Sequence, residues 1–182
     1  YSPAQQARTI ATLQDNMSKL RARDVYTLRE MGIMHTQDDD ASEEVAAALI
    51  RCHWQMAQLL RFSTPSRIAE AETHIRAVLT AYDQQNPGTV DAEPALYLAV
   101  ILARIPEHED EALALYRAAS ASRYIGAGTR VWAQAAIARM LRRTGRQTEA
   151  QEAETAVLNW FKSHPAAMHP QAFRALVLDE DD

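Results

Sequence analysis

Between Ala112 and Thr148 the chain carries seven arginines and no aspartate or glutamate: Arg117, Arg123, Arg130, Arg139, Arg142, Arg143 and Arg146. The whole sequence has a net charge of −5, so the other residues carry −12, the difference between −5 and the +7 of this run. Arg139, Arg142, Arg143 and Arg146 fall on one helix end and the turn after it. Unpaired carbonyls make a helix C-terminus partly negative, so cations are favoured there. One reading of the run is therefore a solvated face that complements a helix dipole. The other is a docking patch for an acidic protein or peptide, because a guanidinium can form two parallel hydrogen bonds to a carboxylate. Arg130, Trp132, Arg139, Arg142, Arg143 and Arg146 are the candidate contacts. Nucleic acid fits less well. The net charge is negative, and only Trp132 and Tyr124 interleave aromatic surface with the basic residues.

Signals for catalysis are weak. IGAGTR, from Ile125 to Arg130, sets two glycines before a helix. It lacks the preceding strand and the lysine of a phosphate-binding loop, and Thr129 as a helix N-cap accounts for it. HEDE, from His108 to Glu111, and the pair His164 and His169 carry metal-ligand atoms. Neither has the i, i+4 helical spacing of a zinc protease, and HEDE reads more simply as an acidic helix start. His53 and His74 are expected on helices one repeat apart, as satisfied core or surface histidines. Cys52 is the only cysteine, so no internal disulfide can form, and it is expected as a small buried hydrophobe. No nucleophile elbow or paired Cys/His cluster occurs. The expectation is a protein that is not an enzyme and needs no cofactor or metal.

The elements that must position these residues are helical. The sequence has 34 alanines and only 5 glycines among 182 residues, which favours many helices and short turns. The longest apolar run, ALYLAVILA (Ala95 to Ala103), could pass for a buried strand, but its Leu/Ala content favours a buried helix. Ser2, Pro3 and Gln5 form a strong helix opening with the spacing of a capping box. Ile10, Leu13, Met17, Leu20, Leu28 and Met31 continue one stripe, interrupted at Asp24. One long N-terminal helix is expected from Ala4 to Met31, with a kink near Arg23. An acidic linker runs from His35 to Glu44. Helices then follow, broken by STPS, QQNPGT, PEHED and YIGAGT, with Val131 to Arg143 and Thr148 to Lys162 flanking Gly145. A short helix near Pro170 to Leu178 precedes an acidic end. The fold class is all-α, a single domain over residues 1–182, with antiparallel neighbours joined by short connections.

Three segments share a pattern: Arg67 to Tyr82, Glu109 to Ser120 and Gln147 to Trp160. Each carries Glu followed by Ala, at Glu70-Ala71, Glu111-Ala112 and Glu149-Ala150, and each is preceded by a turn and an amphipathic helix. A recurring helix–turn–helix unit of about 40 residues is the signature of a solenoid. The best copy, Val131 to Trp160, has Ile137, Ala138 and Leu141 in its first helix, then Gly145, Glu149-Ala150 and Val157. On these residues the chain resembles the tetratricopeptide repeat family over roughly residues 42–165, as three divergent units between an N-terminal helical segment (1–34) and a short C-terminal segment (166–182). The resemblance implies that the first helices of the units line a groove for a partner segment. His53, Met56, Leu60, Tyr97 and Ile101 fall at the groove positions, with Trp132, Ala135 and Arg139 at those of the last unit. The lysines and asparagines that clamp a terminal carboxylate in some members of that family are absent. The N-terminal helix could fill such a groove itself.

These readings point to an interaction or scaffold module that binds a protein or peptide through a helical groove, an Arg-rich face or both. The alternative is a regulatory domain whose groove closes on a small apolar molecule. No apolar stretch approaches the ~20 residues that span a bilayer. The bias of 17 Arg to 2 Lys fits a high-GC genome, and a bacterial protein is expected. The chain begins at Tyr1 and not Met, which fits a removed leader or anchor as well as a trimmed start. Cytoplasm, periplasm and lipid anchoring all stay open, as does the oligomeric state.

Overall fold

A computed structural model describes residues 2–22, 25–32, 42–63, 67–88, 91–105 and 107–165. Among these the protein is all-α, with no strand. The helices are α1 (Pro3–Ala22), α2 (Val25–Glu30), α3 (Ser42–Arg61), α4 (Ile68–Gln85), α5 (Ala92–Leu102), α6 (Glu109–Ala121), α7 (Ala127–Arg143) and α8 (Gln147–Ser163). The kink expected near Arg23, most of the acidic linker, Thr64 and Pro65 of the STPS turn, and the helix expected near residues 170–178 lie outside the described residues.

Local chemistry accounts for several boundaries. Ser2 and Gln5 close a reciprocal capping box: the Ser2 N–H donates to Gln5 Oε1 at 2.9 Å, and the Gln5 N–H donates to Ser2 Oγ at 3.3 Å. Asp91 caps α5 by accepting from the Glu93 N–H at 3.2 Å. α7 ends in a Schellman turn, with Gly145 at φ 79°. The Gly145 N–H donates to Arg142 O at 3.1 Å, and the Arg146 N–H donates to Leu141 O at 2.8 Å. An L-residue with a side chain is strained at that φ, so glycine is the residue the turn requires. α7 starts four residues before the expected Val131. Its N-cap is Gly126, and Thr129 lies inside the first turn.

The chain divides into two compact units, residues 1–85 and 86–182. The boundary falls in QQNPGT, which in the sequence reads as an ordinary helix stop. In the first unit α1 lies along α3, and α3 packs on α4. Gln6 Nε2 donates to Leu59 O at 2.6 Å, near the start of α1 and the end of α3. At the other end Leu20, Leu28, Val45 and Ala48 share a core, with Leu49 and Cys52 packed against it. α1 and α3 therefore run antiparallel, and the stripe Ile10, Leu13, Met17 and Leu20 is buried.

In the second unit α5 packs on α6, α6 on α7, and α7 on α8. ALYLAVILA is helical from Ala95 to Leu102, within α5, with Ala103 as its C-cap, and Ala95, Leu96, Leu98, Ala99, Ile101 and Leu102 are all buried. Tyr116 and Trp132 meet edge to face at 6.0 Å, joining α6 to α7. Val131 and Ala135 of α7 form a core with Val157 of α8, against which Trp160 and Phe161 pack.

The alanine of each Glu-Ala pair is buried: Ala71 and Ala112 are 0% exposed and Ala150 is 1% exposed. Each sits in the first turns of a second hairpin helix, where a bulkier side chain would hold the helices apart. Replacing Ala112 by Leu is expected to cost about 1–3 kcal/mol through overpacking. The same change at exposed Ala114 is expected to stay within about 0.5 kcal/mol. Urea unfolding of the two variants checks this, and equal stabilities would count against close packing at Ala112.

Candidate functional site

The acid-free arginine run does not stay acid-free in space. Gly145 reverses the chain, and α8 brings its carboxylates back along α7. Arg142 pairs with Glu154. Arg146 pairs with Glu149 at 2.7 Å and reaches Asp110 at 4.0 Å. Arg117 of α6 also reaches Glu149, at 3.1 Å. The hydrogen bond from Arg146 holds the Glu149 carboxyl below its usual range, with help from Arg117. Arg130 Nη2 donates to Ser122 O at 3.0 Å, which ties α7 to the end of α6. Arg123 stacks over the ring of Tyr124, 4.8 Å from its centroid. Trp132 is half-buried against Tyr116.

What the run does build is a cleft of about 240 Å³ in the second unit. Val100, Ala103 and Arg104 come from the end of α5, Tyr116 from α6, and Ala136, Arg139, Met140 and Arg143 from α7. Three guanidinium side chains and no carboxylate line it. Arg143 Nη2 donates to Ala103 O at 2.7 Å, so one of the three satisfies a carbonyl at the α5 terminus. Arg104 is exposed and Arg139 half-buried. Arg139 and Arg143 were expected at a docking surface and are here; Arg142 and Arg146 are engaged with carboxylates beside it. The part played by Arg104 was missed, because only the packing of α5 against its neighbours brings it to α7.

The expected groove residues are placed differently. Met56, Leu60 and Ile101 are fully buried and offer a partner no surface in this structure, and Ala135 is buried as well. The positions that would face a groove instead belong to the core, because α1 lies along α3 and the short apolar α5 is covered on nearly every side. Tyr97 is half-buried. His53 is also half-buried, and it faces another histidine.

His53 Nδ1 on α3 lies 2.8 Å from His74 Nδ1 on α4, and the ring centroids are 5.0 Å apart. One ring must donate and the other accept, so the pair holds one proton between the two nitrogens. Burial, then the charge of His74, then Arg21 push the His53 pKa down to about 4. His74 is lowered by burial, and by Arg21 and Arg67, against the opposing pull of Glu70. The Cys52 thiol is pushed up by burial, against the opposing effect of Arg51, and packs beside the Leu20 core.

The remaining signals resolve into local structure. Gly126, Ala127, Gly128 and Thr129 are the cap and first turn of α7. His108 lies 3.5 Å from Glu111, one helical turn on. His164 stacks on Trp160 at 4.3 Å, and His169 lies outside the described residues. Among the described residues no three or more His, Cys, Asp or Glu side chains gather as a metal site, and no helix is long and apolar enough to cross a membrane. No protein-family model matches the chain, and no curated protein or solved structure matches it significantly.

The histidine pair has a pH consequence. Folded, both groups hold protons less tightly than in the unfolded chain, where the pKa is near 6.5. Their contribution is therefore full above about pH 6.5 and is lost as pH falls, for His53 toward about 4. The depressed Glu70 and Glu149 lose theirs only below the ordinary carboxylate pKa of 4.5, so between pH 7 and pH 5 the change belongs to the histidines. The urea midpoint of the first unit is expected to drop between pH 7 and pH 5, and His53→Gln to shrink that drop. An unchanged drop in the variant would refute the assignment.

Proposed function

We propose that the protein is a non-enzymatic interaction module, a scaffold component that binds an acidic segment of a partner protein in the Arg-rimmed cleft of its second unit. The observation that carries this reading is the lining of that cleft: Arg104, Arg139 and Arg143 beside half-buried Val100 and Ala103, with Met140 and Tyr116 buried beneath and no carboxylate. Guanidinium groups beside apolar surface suit a peptide that alternates acidic and apolar side chains. The volume, about 240 Å³, is below the ~300–1,000 Å³ of sites that enclose small molecules. That difference favours a segment laid across the cleft over an enclosed ligand, the second reading. The three hairpins are read as divergent tetratricopeptide-like units in a bacterial protein. The Glu-Ala pairs and their buried alanines support this reading.

The test is fluorescence anisotropy with a labelled acidic peptide and its Asn/Gln counterpart. The acidic peptide is expected to bind and the neutral one to bind weakly. Charge-assisted hydrogen bonds contribute about 1.5–3 kcal/mol each, so Arg104→Glu/Arg139→Glu should weaken binding at least about tenfold. Arg123→Glu, outside the cleft, should leave it unchanged. Equal binding of both peptides, or no loss in the double variant, would contradict the proposal.

A further inference from the structure

The facing histidines of the first unit are not used by the proposed cleft, and their geometry suits a second ligand. The two Nδ1 atoms are 2.8 Å apart, far closer than the ring centroids at 5.0 Å, so the nitrogens face one another across the α3–α4 contact. Both rings are half-buried, which leaves the pair reachable from solvent. Neutral imidazole nitrogens from two helices, directed at one place, are the donor set that borderline divalent metals take. At metal–nitrogen bonds of about 2.0–2.1 Å, two nitrogens on one tetrahedral ion stand about 3.4 Å apart. On adjacent positions of a tetragonal ion they stand about 2.9 Å apart, and tetragonal geometry is that of Cu²⁺ and Ni²⁺. The observed 2.8 Å is the spacing of the hydrogen bond the pair makes, so a pivot of the rings reaches the tetragonal spacing with less separation of the nitrogens than the tetrahedral one, and Cu²⁺ also heads the affinity order for nitrogen ligands.

We propose that His53 and His74 form a two-histidine site for a tetragonal divalent metal ion of the Cu²⁺ type, which ties α3 to α4. The rings pivot so that both lone pairs meet at the ion, and it takes the place of the proton the pair shares. Glu70, one turn before His74, contributes negative charge nearby, although its carboxylate is held by Arg67. Arg21 of α1 opposes the ion. Cys52 packs against the Leu20 core. The protein thus supplies two ligands, and water fills the other positions.

The experiment is titration of the full chain with CuCl₂ near pH 7.4, read by calorimetry and by Cu²⁺ electron paramagnetic resonance. The sequence has six histidines, so a variant with His35, His108, His164 and His169 all changed to Gln keeps only the pair. That variant is expected to bind one ion per chain with coupling to two nitrogens, and its urea midpoint to rise with the metal. Adding His53→Gln or His74→Gln to it should abolish the binding. The proposal is overturned if the variant that keeps only the pair binds no ion. It is also overturned if binding survives loss of either ring. Since the decisive variant leaves the α3–α4 contact intact, a folding defect at the pair does not obscure the result.

Discussion

Two helices joined by a short turn can approach closely only where the residue between them is small. That constraint sets the arrangement of this chain. Ala71, Ala112 and Ala150 occupy equivalent places in α4, α6 and α8, and all three are buried. One and two turns further along, Ile75 and Val78 follow in α4, and Tyr116 and Ala119 in α6, again buried. The apolar stripe is thus pinned at its start by a residue with almost no side chain. Burial of such stripes supplies most of a helix's stability in a folded protein, more than propensity does.

The third hairpin keeps the frame and changes one member. Val157 holds the apolar place, while Glu154 stands where α4 has Ile75 and α6 has Tyr116. That substitution gives Arg142 a partner on the facing helix. The same reversal sets Glu149 beside Arg146 and within reach of Arg117. Three of the seven cations of the run, Arg117, Arg142 and Arg146, are thereby drawn into ion pairs, and Arg139 and Arg143 line the cleft beside α5 together with Arg104. Exposed ion pairs of this kind contribute little stability each.

Features governed by a few adjacent residues were legible in the sequence. The capping box of Ser2 and Gln5, the turn at Gly145 and the helical nature of ALYLAVILA all follow from local chemistry. The start of α7 was misplaced because Gly126 and Gly128, poor helix formers, are carried into its cap and first turn. The burial of several expected groove positions was hidden for a different reason. Spacing along a helix tells which residues share a face, but not which neighbour covers that face. Met56, Leu60 and Ile101 share the expected faces and are buried there. The His53–His74 contact and the role of Arg104 were hidden for the same reason, since both depend on the register between helices.

The hairpin contacts can be observed directly. In a methyl-resolved nuclear Overhauser experiment, the Ala112 and Ala150 methyl groups should show cross-peaks to side chains of α5 and α7 respectively. Those methyls should also be shielded from a soluble paramagnetic agent. Cross-peaks confined to each alanine's own helix, with both methyls open to that agent, would contradict the packing from which the cleft is derived.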